Sequence, residues 1–256
     1  MKVLLAAALV YLAICVYVYL NQRAFIYFPE RGALYTGEKS IEIRSGEITL
    51  RGWVLNEGCD EAVIYFGGNA ERPEAGMPDF KRIFSDQAVY LINYRGYGES
   101  EGSPTEEGLY ADALAIYDYV SQSHSKVSVI GRSLGTGVAT YLAVERDVER
   151  LVLIEPFDSM VSIARAAYPF FPVGLMLKDR YDSAGRAGSI TSRTLFIIAG
   201  MDEIIPRWST EKLISEFDQG ILDTLVIEDA NHNDIQNYPQ YYIALMEFFT
   251  VRQEEE

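Results

Sequence analysis

Few residues in this chain can make or break a covalent bond, and their spacing narrows the choice further. Gly131-Arg132-Ser133-Leu134-Gly135 sets a serine between two glycines. A serine hydroxyl becomes a nucleophile when the chain turns sharply enough to expose it and a base stands ready for its proton. Lys126–Ile130 before the motif reads as a strand and Val138–Glu145 after it as a helix, so Ser133 is expected at a strand–turn–helix junction. Two histidines can serve as base. His124, in the polar run Ser121–Lys126, enters the strand that feeds Ser133 and so belongs to the N-terminal end of the sheet. His232, in Asp229-Ala230-Asn231-His232-Asn233-Asp234, follows the last strand, at the C-terminal end where open sheets of this kind bind ligands. His232 is the expected base. The acid that would orient it is expected at Asp202, just past the strand Leu195–Ala199, with Asp158 after the preceding strand as a second candidate. Asp179 and Asp182 fall in an irregular stretch and suit surface or salt-bridge roles.

Acyl transfer also needs two backbone N–H groups aimed at the developing oxyanion. Leu134, directly after the serine, is one expected donor. Asn69 in Phe66-Gly67-Gly68-Asn69-Ala70 is the other, with Gly68 as the alternative, since glycine lets the backbone come close to a substrate. A third glycine-rich stretch, Asn93–Pro104, has the spacing Gly96-x-Gly98-x-x-x-Gly102, which is not a dinucleotide fingerprint. It reads as a tight loop held by an ion pair of Arg95. No cofactor is called for, and with only two histidines and two cysteines in the whole chain a zinc-type ligand cluster is nearly excluded.

These residues must be held by a scaffold, and the pattern supplies one. Ile41–Arg44 and Ile48–Leu55 suit an antiparallel opening pair. Short apolar runs follow at Ala62–Phe66, Ala88–Asn93, Lys126–Ile130, Leu151–Ile154, Leu195–Ala199 and Leu225–Ile227, as in buried parallel strands. Helical stretches around Ala75–Phe84, Glu106–Val120, Gly137–Glu145, Thr210–Phe217 and Pro239–Phe249 separate them. The expected fold class is α/β, a mostly parallel, doubly wound sheet in one domain over residues 24–256. From Phe157 to Ser192 the rhythm breaks, and a small cap is expected at about 157–192. Its apolar residues Phe170, Phe171 and Met176 are candidates for binding an acyl chain. Glu254-Glu255-Glu256 reads as a solvated tail.

Val3–Leu20 carries no charge, Gly or Pro, at the lower edge of what a membrane-spanning helix needs. Its tyrosines and the following Asn21, Gln22 and Arg23 suit a membrane interface, and no small-residue cleavage site follows. Residues 1–23 are therefore expected to be an uncleaved, single-pass N-terminal anchor. Lys2 and the amino terminus nearly balance Arg23 and Arg31, which leaves its orientation open. Over 256 residues, 22 Lys and Arg against 37 Asp and Glu give a net charge of −15, which argues against nucleic-acid partners and against electrostatic binding to anionic lipid.

Taken together, the motifs Gly67-Gly68-Asn69-Ala70, Asn93–Pro104, Gly131–Gly135, Lys178-Asp179-Arg180-Tyr181-Asp182-Ser183, Asp202-Glu203-Ile204-Ile205-Pro206 and Asn231-His232-Asn233-Asp234 resemble the α/β-hydrolases. The resemblance is to their membrane-anchored esterase and serine-aminopeptidase-like group, with monoacylglycerol-lipase-like and depalmitoylase-like relatives. It implies a nucleophile at Ser133, an acid at Asp202 and a base at His232, in that chain order. It departs from many relatives at Gly67-Gly68, where they carry His-Gly. The expected activity is hydrolysis of an ester or thioester with a hydrophobic acyl group, reached from a lipid surface. An aminopeptidase or amidase is the first alternative, and a non-catalytic, membrane-tethered binding protein on the same fold is the second.

Overall fold

In a computed structural model of the chain, residues 1–32 and 37–250 are described. The acidic run 254–256 lies outside them. Eight strands, β1 (Lys39–Ser45), β2 (Ile48–Leu55), β3 (Glu61–Phe66), β4 (Gln87–Ile92), β5 (Lys126–Arg132), β6 (Arg150–Ile154), β7 (Arg193–Ala199) and β8 (Leu222–Ile227), form one sheet. Their spatial order is β1-β2-β4-β3-β5-β6-β7-β8. The β1–β2 and β2–β4 pairs are antiparallel, and every later pair is parallel.

The central strands are apolar almost without interruption because both of their faces are covered. Successive side chains go to opposite layers. Ile64, Phe66, Val129, Leu151, Leu153, Phe196 and Ile198 share one core with residues of α3 (Glu106–Val120), α4 (Leu134–Glu145) and α8 (Arg207–Ser215). Val63, Tyr65, Ile130, Val152, Ile154, Leu195 and Ile197 share the other with α2 (Met77–Ile83) and α9 (Pro239–Thr250). The expected break between β6 and β7 holds three short helices, α5 (Met160–Ala167), α6 (Val173–Met176) and α7 (Ala184–Ala187).

The N-terminal helix α1 spans Lys2–Ile26, three residues beyond the boundary expected at Arg23. Among the described residues it is the one helix long and apolar enough to cross a membrane. Most of it is exposed, but its last two turns are docked. Gln22 donates to the Met176 carbonyl (3.1 Å) and accepts from the Lys178 N–H (2.7 Å). Arg23 grips Asp179 through two hydrogen bonds of 2.9 and 3.2 Å, and the Tyr27 and Tyr181 hydroxyls meet at 2.7 Å. Asp179 thus has the salt-bridge role its setting suggested.

Candidate active site

Because β3 and β5 to β8 run in parallel, the loops after them emerge along one edge of the sheet. Ser133 lies where β5 turns into α4, with φ 48° and ψ −116°, a conformation that costs energy for any residue bearing a Cβ. Both flanking glycines are needed. A Cβ on Gly131 would sit 2.7 Å from the Ala139 Cβ, and one on Gly135 would press into the Phe66 carbonyl. The turn therefore holds the Ser133 side chain up from the edge, half-buried.

His232, 6% exposed, brings its Nε2 to 3.0 Å from Ser133 Oγ and its Nδ1 to 2.8 Å from Asp202 Oδ2. The other Asp202 oxygen accepts the backbone N–H groups of Ile204 (2.8 Å) and Ile205 (2.7 Å), which fixes the carboxylate's direction. A carboxylate only accepts, so Nδ1 carries the imidazole proton and Nε2 is left to accept from the serine hydroxyl. His124 sits far from this group, between the Tyr90 hydroxyl (2.8 Å) and the Cys59 carbonyl (2.9 Å). Asp158, the second acid considered, is buried against Ser209 (2.6 Å), Ser162 and Lys212 (2.7 Å), and is not bonded to the imidazole.

The nearby second acid is instead Glu155, the first residue past β6. Its Oε2 lies 3.6 Å from His232 Nδ1 and 3.3 Å from Arg132 Nε, while its Oε1 is buried without a hydrogen-bond partner. Burial pushes this carboxyl up to about 7, against the opposing pull of His232 and Arg132. The rule that pointed to Asp202, an acid at the tip of a parallel strand, also fits Glu155. The acid three residues further along was the one singled out. Arg132 itself ties the edge together, donating to the His232 carbonyl (2.9 Å) and lying 3.5 Å from Glu71. Glu155, Asp202 and His232 hold three potential metal-ligand atoms within 4.8 Å. However, Asp202 engages the imidazole Nδ1 and the Arg132 cation faces Glu155, so the cluster suits proton chemistry better than a metal ion.

Of the two candidate loop donors, Gly68 already spends its N–H on Glu71 Oε2 (2.6 Å). Among the described residues neither the Asn69 nor the Leu134 N–H is bonded, and both residues line the cavity that contains Ser133. The Asn69 side chain is used differently. Its Nδ2 donates to the Ile26 carbonyl (2.6 Å), and its Oδ1 accepts from the Phe28 N–H (3.0 Å) and the Tyr97 hydroxyl (2.7 Å). Arg95 pairs with buried Asp112 through two 2.7 Å bonds and holds its loop as expected.

The cavity measures about 740 Å³ and no charged side chain lines it. Phe171 and Met176, two of the three residues considered for acyl binding, are in its wall. Phe170 is not: it is 86% exposed. The turn between Pro169 and Pro172, closed by the Phe171 N–H on the Tyr168 carbonyl (3.1 Å), sends the two phenylalanines to different sides. The remaining wall was not legible in the sequence. Val18, Tyr19, Phe25, Ile26 and Phe28, from α1 and the residues just after it, close the side opposite α5.

Comparison with known proteins accords with this architecture. Residues 66–186 match the family model described as the alpha/beta hydrolase fold. An uncharacterized protein of Mycobacterium tuberculosis, Rv2307c, is 34% identical over 202 residues, covering 76% of this chain and 71% of that protein. The uncharacterized membrane protein YNL320W of Saccharomyces cerevisiae is 32% identical over 226 residues, 78% of each chain. The chain belongs to the α/β-hydrolase superfamily. Human alpha/beta hydrolase domain-containing protein 17B is 30% identical over 168 residues, covering 62% of this α/β-hydrolase and 55% of that protein. The esterase Pf2001 of Pyrococcus furiosus has the same fold, with a TM-score of 0.73 and 21% identity over 87% of this α/β-hydrolase and 98% of that chain.

Proposed function

We propose that this α/β-hydrolase is a membrane-anchored serine hydrolase that cleaves an ester or thioester bearing a hydrophobic acyl group. The observation that carries the reading is the Ser133–His232–Asp202 relay, at 3.0 and 2.8 Å, opening into an uncharged cavity. Ser133 Oγ attacks the acyl carbon as His232 Nε2 takes the hydroxyl proton. Asp202 holds the imidazole tautomer and stabilises the imidazolium that forms. The N–H groups of Asn69 and Leu134 meet the oxyanion. Collapse of the tetrahedral intermediate breaks the acyl–oxygen or acyl–sulfur bond, and the imidazolium returns its proton to the leaving group. Water, activated by the same histidine, then releases the acid and restores the serine.

The uncharged lining favours esters and thioesters over peptides with a free amino terminus, whose ammonium would find no counter-ion there. The length and composition of α1, with its exposed surface, support residues 1–23 as the anchor, and residues 24–256 as the hydrolase domain with its cap at about 157–192. The testing experiment is fluorophosphonate labelling of the full chain in detergent, beside Ser133→Ala and His232→Ala, followed by hydrolysis of esters of increasing chain length. Labelling of the wild type alone, with preference for long chains, is the expected result. A folded wild type that stays unlabelled while a known serine hydrolase reacts would overturn it.

A further inference from the structure

Beyond the relay, the most unusual surface of the molecule is apolar. Tyr168–Leu177 carries no charge, and within it Phe170 and Leu175 are 86% and 89% exposed. Water-soluble proteins rarely leave such a patch uncovered. This one lies against α1, well beyond the helix's docked end. The Tyr11 hydroxyl donates to the Phe170 carbonyl (2.8 Å), and the Tyr11 ring stacks on Phe171 with centroids 6.1 Å apart.

Two charges of this end lie at another level. Lys178 sits over the Tyr19 ring at 4.3 Å, and Arg23 is held by Asp179. Two more cations border the tip segment itself: Arg165 reaches Gly174, whose carbonyl accepts from Arg180 (3.3 Å). Tyr11 precedes Tyr19 by eight residues, about 12 Å along a helix, which is within the roughly 15 Å depth of one leaflet's hydrocarbon. The Phe170–Phe171 turn of the tip therefore stands above the level of Lys178 and Arg23.

We propose that the cap tip, Tyr168 to Leu175, is inserted beside α1 into the hydrocarbon of the leaflet nearest the hydrolase domain, so that the acyl cavity opens to lipid tails rather than to water. The inference rests on reading α1 as a membrane anchor and is independent of the serine chemistry. Whatever depth Tyr11 occupies, the cap residues touching it occupy too. Water would leave their apolar surface uncovered, whereas acyl chains cover it. Lys178 and Arg23 then fall where headgroup phosphates lie, and the long stems of Arg165 and Arg180 let their guanidinium groups reach toward that level from beside Gly174. Because Phe25 and Val18 of the helix and Tyr168 and Phe171 of the cap wall the same cavity, an acyl chain can pass from leaflet to Ser133 without crossing water.

The test is nitroxide depth measurement on the full chain in phosphatidylcholine vesicles, with Cys15→Ala and Cys59→Ser as background. Single labels are placed at Phe170→Cys and Leu175→Cys on the tip, Val10→Cys on α1 and Ser123→Cys at the opposite end of the sheet. Collision with oxygen is compared with collision with a water-soluble nickel chelate. The expected result groups both tip labels with Val10, oxygen-accessible and shielded from nickel, while Ser123 shows the reverse. Tip labels that behave like Ser123 while Val10 stays shielded would overturn the insertion and leave the anchor standing. If Val10 is also nickel-accessible, anchor and insertion fall together. Fluorophosphonate labelling of the same samples reports separately on the serine hydrolase reading.

Discussion

Asp202 and Glu155 present His232 with two carboxylates in different environments. Asp202 is 2.8 Å from Nδ1 and pinned by two backbone N–H groups, whereas Glu155 stands 3.6 Å away with one oxygen unpartnered. Asp202→Asn would reverse the hydrogen bond and favour the wrong tautomer, so kcat should fall by about 10³- to 10⁴-fold. Glu155→Gln keeps the relay's geometry and should cost about tenfold, the scale of one weak charged contact. Steady-state hydrolysis of one ester by both variants checks the ranking. Glu155 also makes a prediction about stability. Its carboxyl is raised from 4.5 to about 7 by burial, so the folded state binds its proton more tightly than the unfolded chain does. No cost exists below about pH 4.5. The cost then grows as pH rises and levels off above about 7, on the order of 3 kcal/mol. Thermal unfolding at pH 5 and pH 8 should show wild type losing more stability than Glu155→Gln across that interval. An equal loss in both would show that the residue does not titrate there.

At the scale of elements, the loop after β3 that is proposed to supply the oxyanion donor is held from two sides. Glu71 takes the Gly68 N–H from within the loop, and the N-terminal segment takes the Asn69 side chain through Ile26 and Phe28. Asn69→Ala leaves the backbone donor in place but removes that brace. We expect kcat to fall by about 10- to 100-fold with KM little changed, because a displaced donor weakens only the transition state. Tyr97→Phe should cost only a few-fold, since the Phe28 N–H still holds Asn69 Oδ1. The strands were legible in the sequence because buried parallel strands are unbroken apolar runs, and β2 falls on Ile48–Leu55 as expected. The proposed triad was legible because each member follows a strand and the glycines mark the elbow. Glu155 was not, since nothing local distinguishes a buried glutamate after a strand from an exposed one. The cavity wall from α1 was also hidden, because contacts such as Gln22 with Met176 join residues 154 positions apart and leave no pattern in either segment.

At the scale of the whole molecule, the N-terminal helix is more than a tether. A chain starting at Asn21 would lose the exposed turns, with Val18 and Tyr19 at the rim of the cavity and Tyr11 against the cap, yet keep Gln22, Arg23, Ile26 and Tyr27 in their contacts. A chain starting at Glu30 would leave Asp179 without Arg23 and Tyr181 without Tyr27, and would open the cavity along one side. Each hydrogen bond lost to such a charged group typically costs about 1.5–3 kcal/mol, and losing the two from Arg23 lowers Tm of a domain of this size by about 10 °C. In detergent, the first truncation should therefore melt near the full chain and react with fluorophosphonate at a similar rate. The second should melt well below it and react more slowly, because Asn69 has lost its brace. Equal behaviour of the two would reduce α1 to a tether. The difference matters for how the enzyme meets its substrate. A body of net charge −15 is repelled by anionic leaflets. On the proposed reading of α1 as an anchor, the helix would hold the cavity mouth at the membrane, and the same helix forms part of the cavity wall.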